Sequence, residues 1–595
     1  MGNDIQDGGV VIERESTFTG GVNSGVDADL VRDGEIHWSK NMVVRGGKLK
    51  TRPAFRERMV LPSGRVQNLD GSKFNSGSLV TSIQGMIRTI RLGNFDIILH
   101  DDVEAGDPSI KQVFTVETAD FMIIQDGQRK ALIFDGNALR DAASDEVPRG
   151  TRMAWGNGRV WVGLAGGRVV AGDVADGNIY GSELKFTEAQ YLLGGGSLTT
   201  SGDITGMSFV PSNDRASGFG PLIVFGKSFT TAFRADIVDR SEWSSVEGFV
   251  SELFPRIGCS GHTSIESVNQ DLLWRDGNAG WRSLKQSSAD YETAGSSPLS
   301  NEISRVTTHE SDDLLDEVSS IYYDNRLLMS SHPFYVFEGM VAYKSIVSLD
   351  FVQLANMAGK ASAVYDGEWQ GFNTTHSTRV YHEGKERVFF VSKDTEGINR
   401  LWEIDKTARD DVSIDLAGAE VKTRIQQEVE FKRMFFGDPA RAKRLMRLDL
   451  WLSNYDNLDV SVYYRHDQTQ QWVLWDTKNP CTEIDNDGTD MTRELRPGTV
   501  AQLMTFDPPL NQVLVANTFQ FKVRFTGRVQ LDRMTAYATL MDSQIYAQPV
   551  AACAENEITL DELFYEIPVF NPELGEYVDE AGDYYVDENG DQYVG

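Results

Sequence analysis

The stretch GPLIVFGKSF at positions 220–229 holds the residue types of a phosphate-binding loop, two glycines followed by Lys227 and Ser228. A phosphate loop needs four residues between its glycines so that its backbone N–H groups can surround the phosphates. Here five residues separate Gly220 from Gly226, and they are mostly apolar. The pattern predicts a strand that ends in a turn, and not a nucleotide site.

The stretch GCSGH at positions 258–262 places a thiol, a hydroxyl and an imidazole close together, on Cys259, Ser260 and His262. A nucleophile elbow has the pattern Gly-x-Ser-x-Gly between a strand and a helix, because the sharp turn exposes the serine. The spacing here is different, and no helical pattern follows. The stretch therefore indicates a structural turn.

Metal ligands are the next candidates. His376 and His382 lie six residues apart, which on a strand separates them by about 20 Å, too far for one ion. The acidic stretches 485–496 and 587–595 begin like calcium loops but lack the glycine and glutamate of the sixth and twelfth loop positions. The sequence predicts no enzyme and no cofactor, and it leaves open a weak calcium site and paired carboxylates for glycoside cleavage.

A basic stretch, RDGEIHWSKNMVVRGGKLKTRP, occupies positions 32–53. Its aromatic and four of its cations are the candidate site residues: Trp38, Arg45, Lys48, Lys50 and Arg52. One interpretation is a nucleic-acid site, with cations on phosphates and the indole as a stacking platform. The other is a strap that docks on a protein neighbour.

Apolar residues alternate with these cations, and Gly46–Gly47 divides the stretch in two. The apolar positions are Ile36, Met42, Val44 and Leu49. Alternation around a Gly-Gly pair predicts a hairpin with one packed face. We therefore favour a strap against an acidic neighbouring subunit, or against another acidic protein, over a DNA site.

The composition of the chain also favours a protein-docking strap over a DNA site. The 595 residues include 57 basic and 88 acidic ones, a net charge of -31, whereas phosphate binding needs concentrated Lys and Arg. The cysteines Cys259, Cys481 and Cys553 are far apart and form no CxxC pattern, which indicates a reducing compartment. Because the sequence shows neither a signal peptide nor a membrane-spanning apolar run, we expect a soluble protein that folds in a cytoplasm.

Short strands joined by tight turns dominate the chain up to about residue 415. Turn dipeptides such as Asp126-Gly127 and Asn157-Gly158 divide apolar runs. The number of strands is too large for one sandwich and fits about six four-stranded blades. We predict an all-β chain with four parts: an N-terminal arm at 1–60, an irregular β-propeller at 61–415, a C-terminal β-sandwich at 416–545 and an acidic tail at 546–595.

The tail differs in composition from the rest of the chain. Residues 554–595 hold 13 acidic residues and no Lys or Arg. High charge with few packing residues is typical of a solvated or binding-induced segment. We expect it to bind a basic or strand-edge surface if it becomes ordered.

The segment 20–55 resembles the opening of the tail tube terminus proteins of short-tailed phages, also called nozzle, tail tubular protein B or stabilisation proteins. The matching positions are Gly20, Gly21, Val22, Asn23, Asn41, Met42, Val43, Gly47, Leu49, Arg52 and Pro53. Segment 257–284 is similar to a later part of the same family, and segment 444–472 is similar to its C-terminal sandwich. The resemblance covers residues 20–410 loosely.

This resemblance implies a structural virion protein: a hexameric ring at the distal end of the tail tube, below an adaptor and beside fibres or a plug. Phage DNA would pass through its channel during ejection, without sequence-specific binding. The protein would assemble in the host cytoplasm and reside in the virion tail. The alternatives are a phage receptor-binding or carbohydrate-degrading tail protein, and a propeller scaffold unrelated to viruses.

Overall fold

The computed structural model describes most of the chain from residue 10 to residue 541. The described residues are 5–6, 10–101, 103–188, 197–212, 219–235, 239–243, 247–277, 280–292, 298–332, 336–337, 340–341, 345–352, 364–415, 417–467, 469, 471–479, 502–508, 514–541, 569–571 and 576–578. Both calcium-like stretches, and all but two short strands of the acidic tail, lie outside these ranges. Within them, no helix is long and apolar enough to cross a membrane.

The N-terminal segment forms eight strands. They are β1 (Ile5–Gln6), β2 (Val10–Glu15), β3 (Gly21–Val22), β4 (Glu35–Ile36), β5 (Trp38–Lys40), β6 (Met42–Arg45), β7 (Lys48–Thr51) and β8 (Ala54–Val60). The predicted hairpin is confirmed: β6 and β7 pair antiparallel, with Arg45 opposite Lys48. Gly46 and Gly47 form its turn at φ of 61° and 72°, the left-handed pair that a two-residue hairpin loop requires.

Five small sheets follow as consecutive blades. The first two contain β9 (Val66–Ser72), β10 (Ser78–Ile83), β11 (Met86–Arg91) and β12 (Ile97–Leu99), then β13 (Phe114–Glu117), β14 (Met122–Gln125), β15 (Leu132–Phe134) and β16 (Leu139–Asp141). The third and fourth contain β17 (Met153–Gly156), β18 (Arg159–Leu164), β19 (Arg168–Ala171) and β20 (Ser197–Thr199), then β21 (Ile204–Pro211), β22 (Phe219–Gly226), β23 (Thr230–Phe233) and β24 (Val250–Phe254). The fifth contains β25 (Glu266–Val268), β26 (Asp271–Asp276) and β27 (Gly280–Ser283).

A short helical region separates the fifth blade from a meander. In the described part of the chain, the α-helices are α1 (Leu284–Glu292) and α2 (Ser304–Thr307), and 3-10 turns occur at Phe74–Ser76, Ser182–Leu184, Arg240–Glu242, His262–Ser264, Asn301–Ile303 and Asp312–Glu317. The strands that follow are β28 (Ser320–Tyr323), β29 (Arg326–Ser331), β30 (Val336–Phe337), β31 (Met340–Val341), β32 (Ser345–Asp350) and β33 (Tyr365–Gln370). β28, β29, β32 and β33 pair in that order as a meander.

The sixth small sheet closes the propeller. It contains β34 (Thr374–His382), β35 (Lys385–Lys393), β36 (Asn399–Asp405), β37 (Asp411–Ile414) and β38 (Glu420–Thr423), and it also takes in β8 from the start of the chain, between β36 and β37. Its strand β34 contacts β9 of the first blade, and β28 of the meander lies between β25 and β34. The predicted propeller of about six blades is confirmed, and the meander fills the place between the fifth and sixth blades.

The C-terminal strands form one large curled sheet. They are β39 (Gln426–Met434), β40 (Lys443–His466), β41 (Val473–Lys478), β42 (Gln502–Phe506), β43 (Val515–Ala516) and β44 (Phe519–Leu540); β45 (Val569–Asn571) and β46 (Glu576–Val578) form a separate hairpin. β40 and β44 pair along nearly their whole length, and four shifts of register bend the pair. This sheet of 17 strands also includes β1 to β7 and the meander, so strands from three distant parts of the sequence share it.

Aromatic side chains pack between neighbouring blades. Trp161 of the third blade is fully buried, 5.4 Å from the ring of Trp243 and 6.4 Å from that of Phe209. Trp274 of the fifth blade lies 5.0 Å from Phe225 of the fourth. Each such pair adds about 0.5–1.5 kcal/mol to the free energy of unfolding beyond simple burial.

Candidate functional site

The thiol and imidazole of the GCSGH stretch do not form a nucleophilic pair. Burial raises the pKa of Cys259 to about 12, and its Sγ contacts the carbonyl oxygen of Gly261 at 3.1 Å. Burial also lowers the pKa of His262 to about 4, and its Nδ1 accepts a hydrogen bond from the backbone N–H of Met207. At neutral pH the thiol is protonated and the imidazole is neutral, so both groups stabilise the turn.

His376 and His382 are separate, as their spacing predicted. His376 lies at the start of β34, and burial lowers its pKa to about 4. His382 lies at the other end of the same strand, where its Nδ1 is 2.9 Å from the carbonyl oxygen of Ser76. Among the described residues, no group of three or more His, Cys, Asp or Glu side chains has the arrangement of a metal site.

One mouth of the propeller contains a cavity of about 580 Å³. It lies where β9 and β34 begin, and its charged lining includes Arg65, Lys111, Glu317 and Lys393. Arg65 pairs with Glu317 at 2.8 Å, and Lys111 approaches Asp316 at 3.5 Å. These carboxylates offset part of the positive charge of the lining.

The inner strands carry carboxylates farther along the propeller. Asp70 on β9 accepts hydrogen bonds from the hydroxyls of Thr115 and Thr378, on the two neighbouring inner strands. Glu266 on β25 is largely buried, and its only ion partner among the described residues is Arg379 at 3.5 Å. Burial raises the pKa of Glu266 to about 7.

Three of the five candidate residues of the basic stretch bind acidic groups of the same chain. Arg45 lies 3.1 Å from Asp350, Lys48 lies 2.5 Å from Asp532, and Arg52 binds both carboxylate oxygens of Asp411 at 2.9 and 2.7 Å. Lys50 is half-buried, opposite Gln530 in the ladder between β7 and β44. Trp38 is only 2% exposed, with the guanidinium of Arg305 4.9 Å from its ring centroid, so its indole is not available to stack on a base.

A buried charge cluster holds the hairpin. Arg326 binds Asp366 at 2.6 Å and Asp350 at 3.1 Å, and both carboxylates are fully buried. Asp366 and Arg326 also bind the backbone of Val44. The N–H of Val44 donates to the Asp366 carboxylate, and its carbonyl oxygen accepts from the Arg326 guanidinium. Sequence reasoning missed Arg326, Asp350 and Asp366, because each is a single charged residue within an otherwise ordinary strand pattern.

Asn41 joins three parts of the fold. It adopts a left-handed conformation with φ of 56°, which asparagine tolerates better than most residues. Its Nδ2 donates to the carbonyl of Gln426 on β39, while its Oδ1 accepts from the backbone N–H of Gln370 on β33 and from Arg52 Nε. A single side chain thus links the curled sheet, the meander and the N-terminal hairpin.

The comparisons with known proteins give no family. No family model matches the sequence, and no curated protein matches it. One similar solved structure belongs to the mitotic checkpoint complex, with 11% identity, a TM-score of 0.36, and 60% of this chain and 93% of that chain covered. The computationally designed Ika8 protein has 11% identity and a TM-score of 0.30 over 59% of this chain and 100% of its own. Likenesses this weak carry no argument about function.

Replacing Arg326 with Met should lower the free energy of unfolding by about 3–5 kcal/mol, because the buried carboxylate of Asp366 loses its cation and that of Asp350 is left with Arg45. Chemical unfolding followed by tryptophan fluorescence measures the change. Arg65→Met is the matched control, since Arg65 is 40% exposed and a surface pair contributes about 0–1 kcal/mol. Equal losses in the two variants would contradict the assigned role of the cluster.

Replacing Glu266 with Gln should change the pH dependence of stability. The folded pKa of about 7 lies above the ordinary value of 4.5, so the folded chain binds the extra proton and wild-type stability falls as pH rises through this window. The Glu266→Gln variant has no carboxyl group at this position, so its stability does not fall in this way as pH rises. Between pH 5 and pH 8 its stability should rise relative to wild type, by at most about 3 kcal/mol.

Chemical unfolding at the two pH values measures this relative change. Glu383→Gln is the control, because that side chain is 82% exposed. If the free energies of unfolding of Glu266→Gln and wild type differ by the same amount at both pH values, the raised pKa of Glu266 is ruled out.

Proposed function

We propose that the chain is a structural protein of a short-tailed phage tail, a ring-forming nozzle at the distal end of the tail tube. One observation carries the proposal. The positions through which segment 20–55 resembles that family hold the N-terminal segment against the rest of the fold. A sequence that resembles a family by chance has no physical reason to match it at such positions.

Gly21 illustrates the point. Its φ is +69°, and a Cβ there would lie 2.5 Å from the carbonyl oxygen of Tyr365, so only glycine fits without strain. Asn41 makes the three links described above, and Arg52 adds a bidentate ion pair with Asp411 and a stack on Phe55 at 4.5 Å. Three of the eleven matching positions thus have a demanding conformation or a buried polar contact.

Charge is consistent with the proposed role. A net charge of -31 repels DNA phosphates, so a genome can pass a ring of such subunits without adhering to it. A closed ring uses head-to-tail contacts between copies. We propose a homohexamer that contacts a tail adaptor on one side and fibres or a plug on the other, without catalysis.

Imaging of the purified chain by negative-stain electron microscopy, together with native mass spectrometry, tests the proposal. We expect closed rings with six copies, either alone or after addition of the tail adaptor. A monomer that persists at high concentration with the adaptor present would contradict it. Release of sugars from host glycans by the monomer would instead favour the carbohydrate-degrading alternative.

A further inference from the structure

The outer face of the curled sheet carries an unusual concentration of arginine in this acidic protein. The residues of this arginine face are Arg14 on β2, Arg444, Arg447 and Trp451 on β40, and Arg533 and Tyr537 on β44. In the ladder, Arg447 stands opposite Tyr537 and Trp451 stands opposite Arg533, while Arg14 stands opposite Thr535. Residues directly opposite in an antiparallel ladder lie on the same face of the sheet.

Alternation along the strands directs this face away from the core. Leu448, Leu450, Met534 and Ala536, which alternate with the face residues, are fully buried in the main core. Arg14 and Arg444 are exposed, as are the apolar side chains of Met446 at 39% and Leu503 at 48%. The face therefore combines positive charge with accessible apolar surface.

Two of the arginines lie against aromatic rings. The guanidinium of Arg447 is 4.4 Å from the ring centroid of Tyr537, and that of Arg533 is 4.8 Å from the ring of Trp451. Stacking restricts a guanidinium while its N–H edges stay able to bind carboxylates in bidentate fashion. These side chains are preorganised for an acidic ligand.

The acidic groups on this part of the sheet do not balance the cations. Asp449 binds Arg447 at 3.0 Å and is itself buried. Among the described residues, Arg14 and Arg444 have no ion-pair partner. Four arginines and one aspartate leave an excess of three positive charges.

We propose that the arginine face binds the acidic C-terminal segment of the same chain, residues 554–595. That segment holds 13 acidic residues and no Lys or Arg, and its tyrosines Tyr565, Tyr577, Tyr584, Tyr585 and Tyr593 can pack on the apolar part of the face. The inference rests on charge and connectivity, and it does not depend on the proposed role in a phage tail.

Connectivity favours the chain's own segment. β44 ends at Leu540, which pairs with Lys443 beside Arg444. Only residues 541–553 separate this strand end from the acidic segment, so a short tether holds the segment at an effective concentration in the millimolar range. Free DNA has no tether, and the net charge of -31 opposes its approach.

Limited proteolysis of the full-length protein with chymotrypsin tests the inference, because this protease cuts after the tyrosines of the segment. The test variant is Arg14→Glu with Arg444→Glu, two exposed positions whose reversal leaves the core intact. The control is Arg91→Glu with Arg256→Glu, which changes the net charge equally at exposed positions on two blades. Intact mass spectrometry follows the loss of the segment.

At 50 mM salt we expect the segment of the test variant to be cleaved at least tenfold faster than that of wild type or control. In 1 M salt the three rates should converge, because the Debye length falls to about 3 Å. A second variant removes charge from the segment itself: Asp579→Asn with Glu580→Gln and Asp583→Asn. Its segment should also be cleaved faster by chymotrypsin than that of wild type at 50 mM salt.

Equal cleavage of wild type, test variant and control at low salt would overturn the inference. Protection that grows with protein concentration would overturn it too, since the occupant would then be the segment of a second copy. Salt-dependent binding of a fluorescent DNA oligonucleotide by wild type and not by the test variant would assign the face to DNA instead. Ring formation is measured separately, so failure here leaves the proposed function intact.

Discussion

The side chain of Asn41 is the contact on which the arrangement of the fold depends. Its amide is shared between β39 of the curled sheet, β33 of the meander and Arg52 at the end of the hairpin. Immediately beyond Arg52 the chain enters β8, which pairs with β36 and completes the sixth blade. The start of the chain therefore joins the curled sheet to the propeller.

Internal ion pairs explain how a basic segment fits an acidic protein. Arg45, Lys48 and Arg52 neutralise acidic groups that lie hundreds of residues away in the same chain. Breaking such a pair leaves a buried or half-buried carboxylate without a cation, which is costly. The surface that remains for neighbours or for the acidic segment is therefore elsewhere, and the arginine face of the curled sheet is the strongest positive candidate.

The sequence predicted features set by local chemistry. The Gly46–Gly47 turn, the number of blades and the strand at GPLIVFGKSF all follow from short-range patterns, and the structure has each of them. Partners across the chain could not be predicted, because Arg45 and Asp350 are 305 positions apart. Nor did the pattern indicate α1, whose residues have little apolar periodicity, or the sharing of one sheet by the N-terminal segment, the meander and the C-terminal strands.

Hydrogen–deuterium exchange at increasing urea concentrations tests most directly whether the N-terminal segment couples the propeller to the curled sheet. The account predicts that wild-type peptides from β10, β18 and β40 lose protection at one common urea concentration. In Asn41→Ala, the peptides of the blades and of the curled sheet should lose protection at separate urea concentrations, since the three hydrogen bonds of the Asn41 amide, beside the point where the chain leaves the curled sheet for β8, are gone. Loss of protection at separate urea concentrations already in wild type, or at one common concentration in the variant, would contradict this coupling.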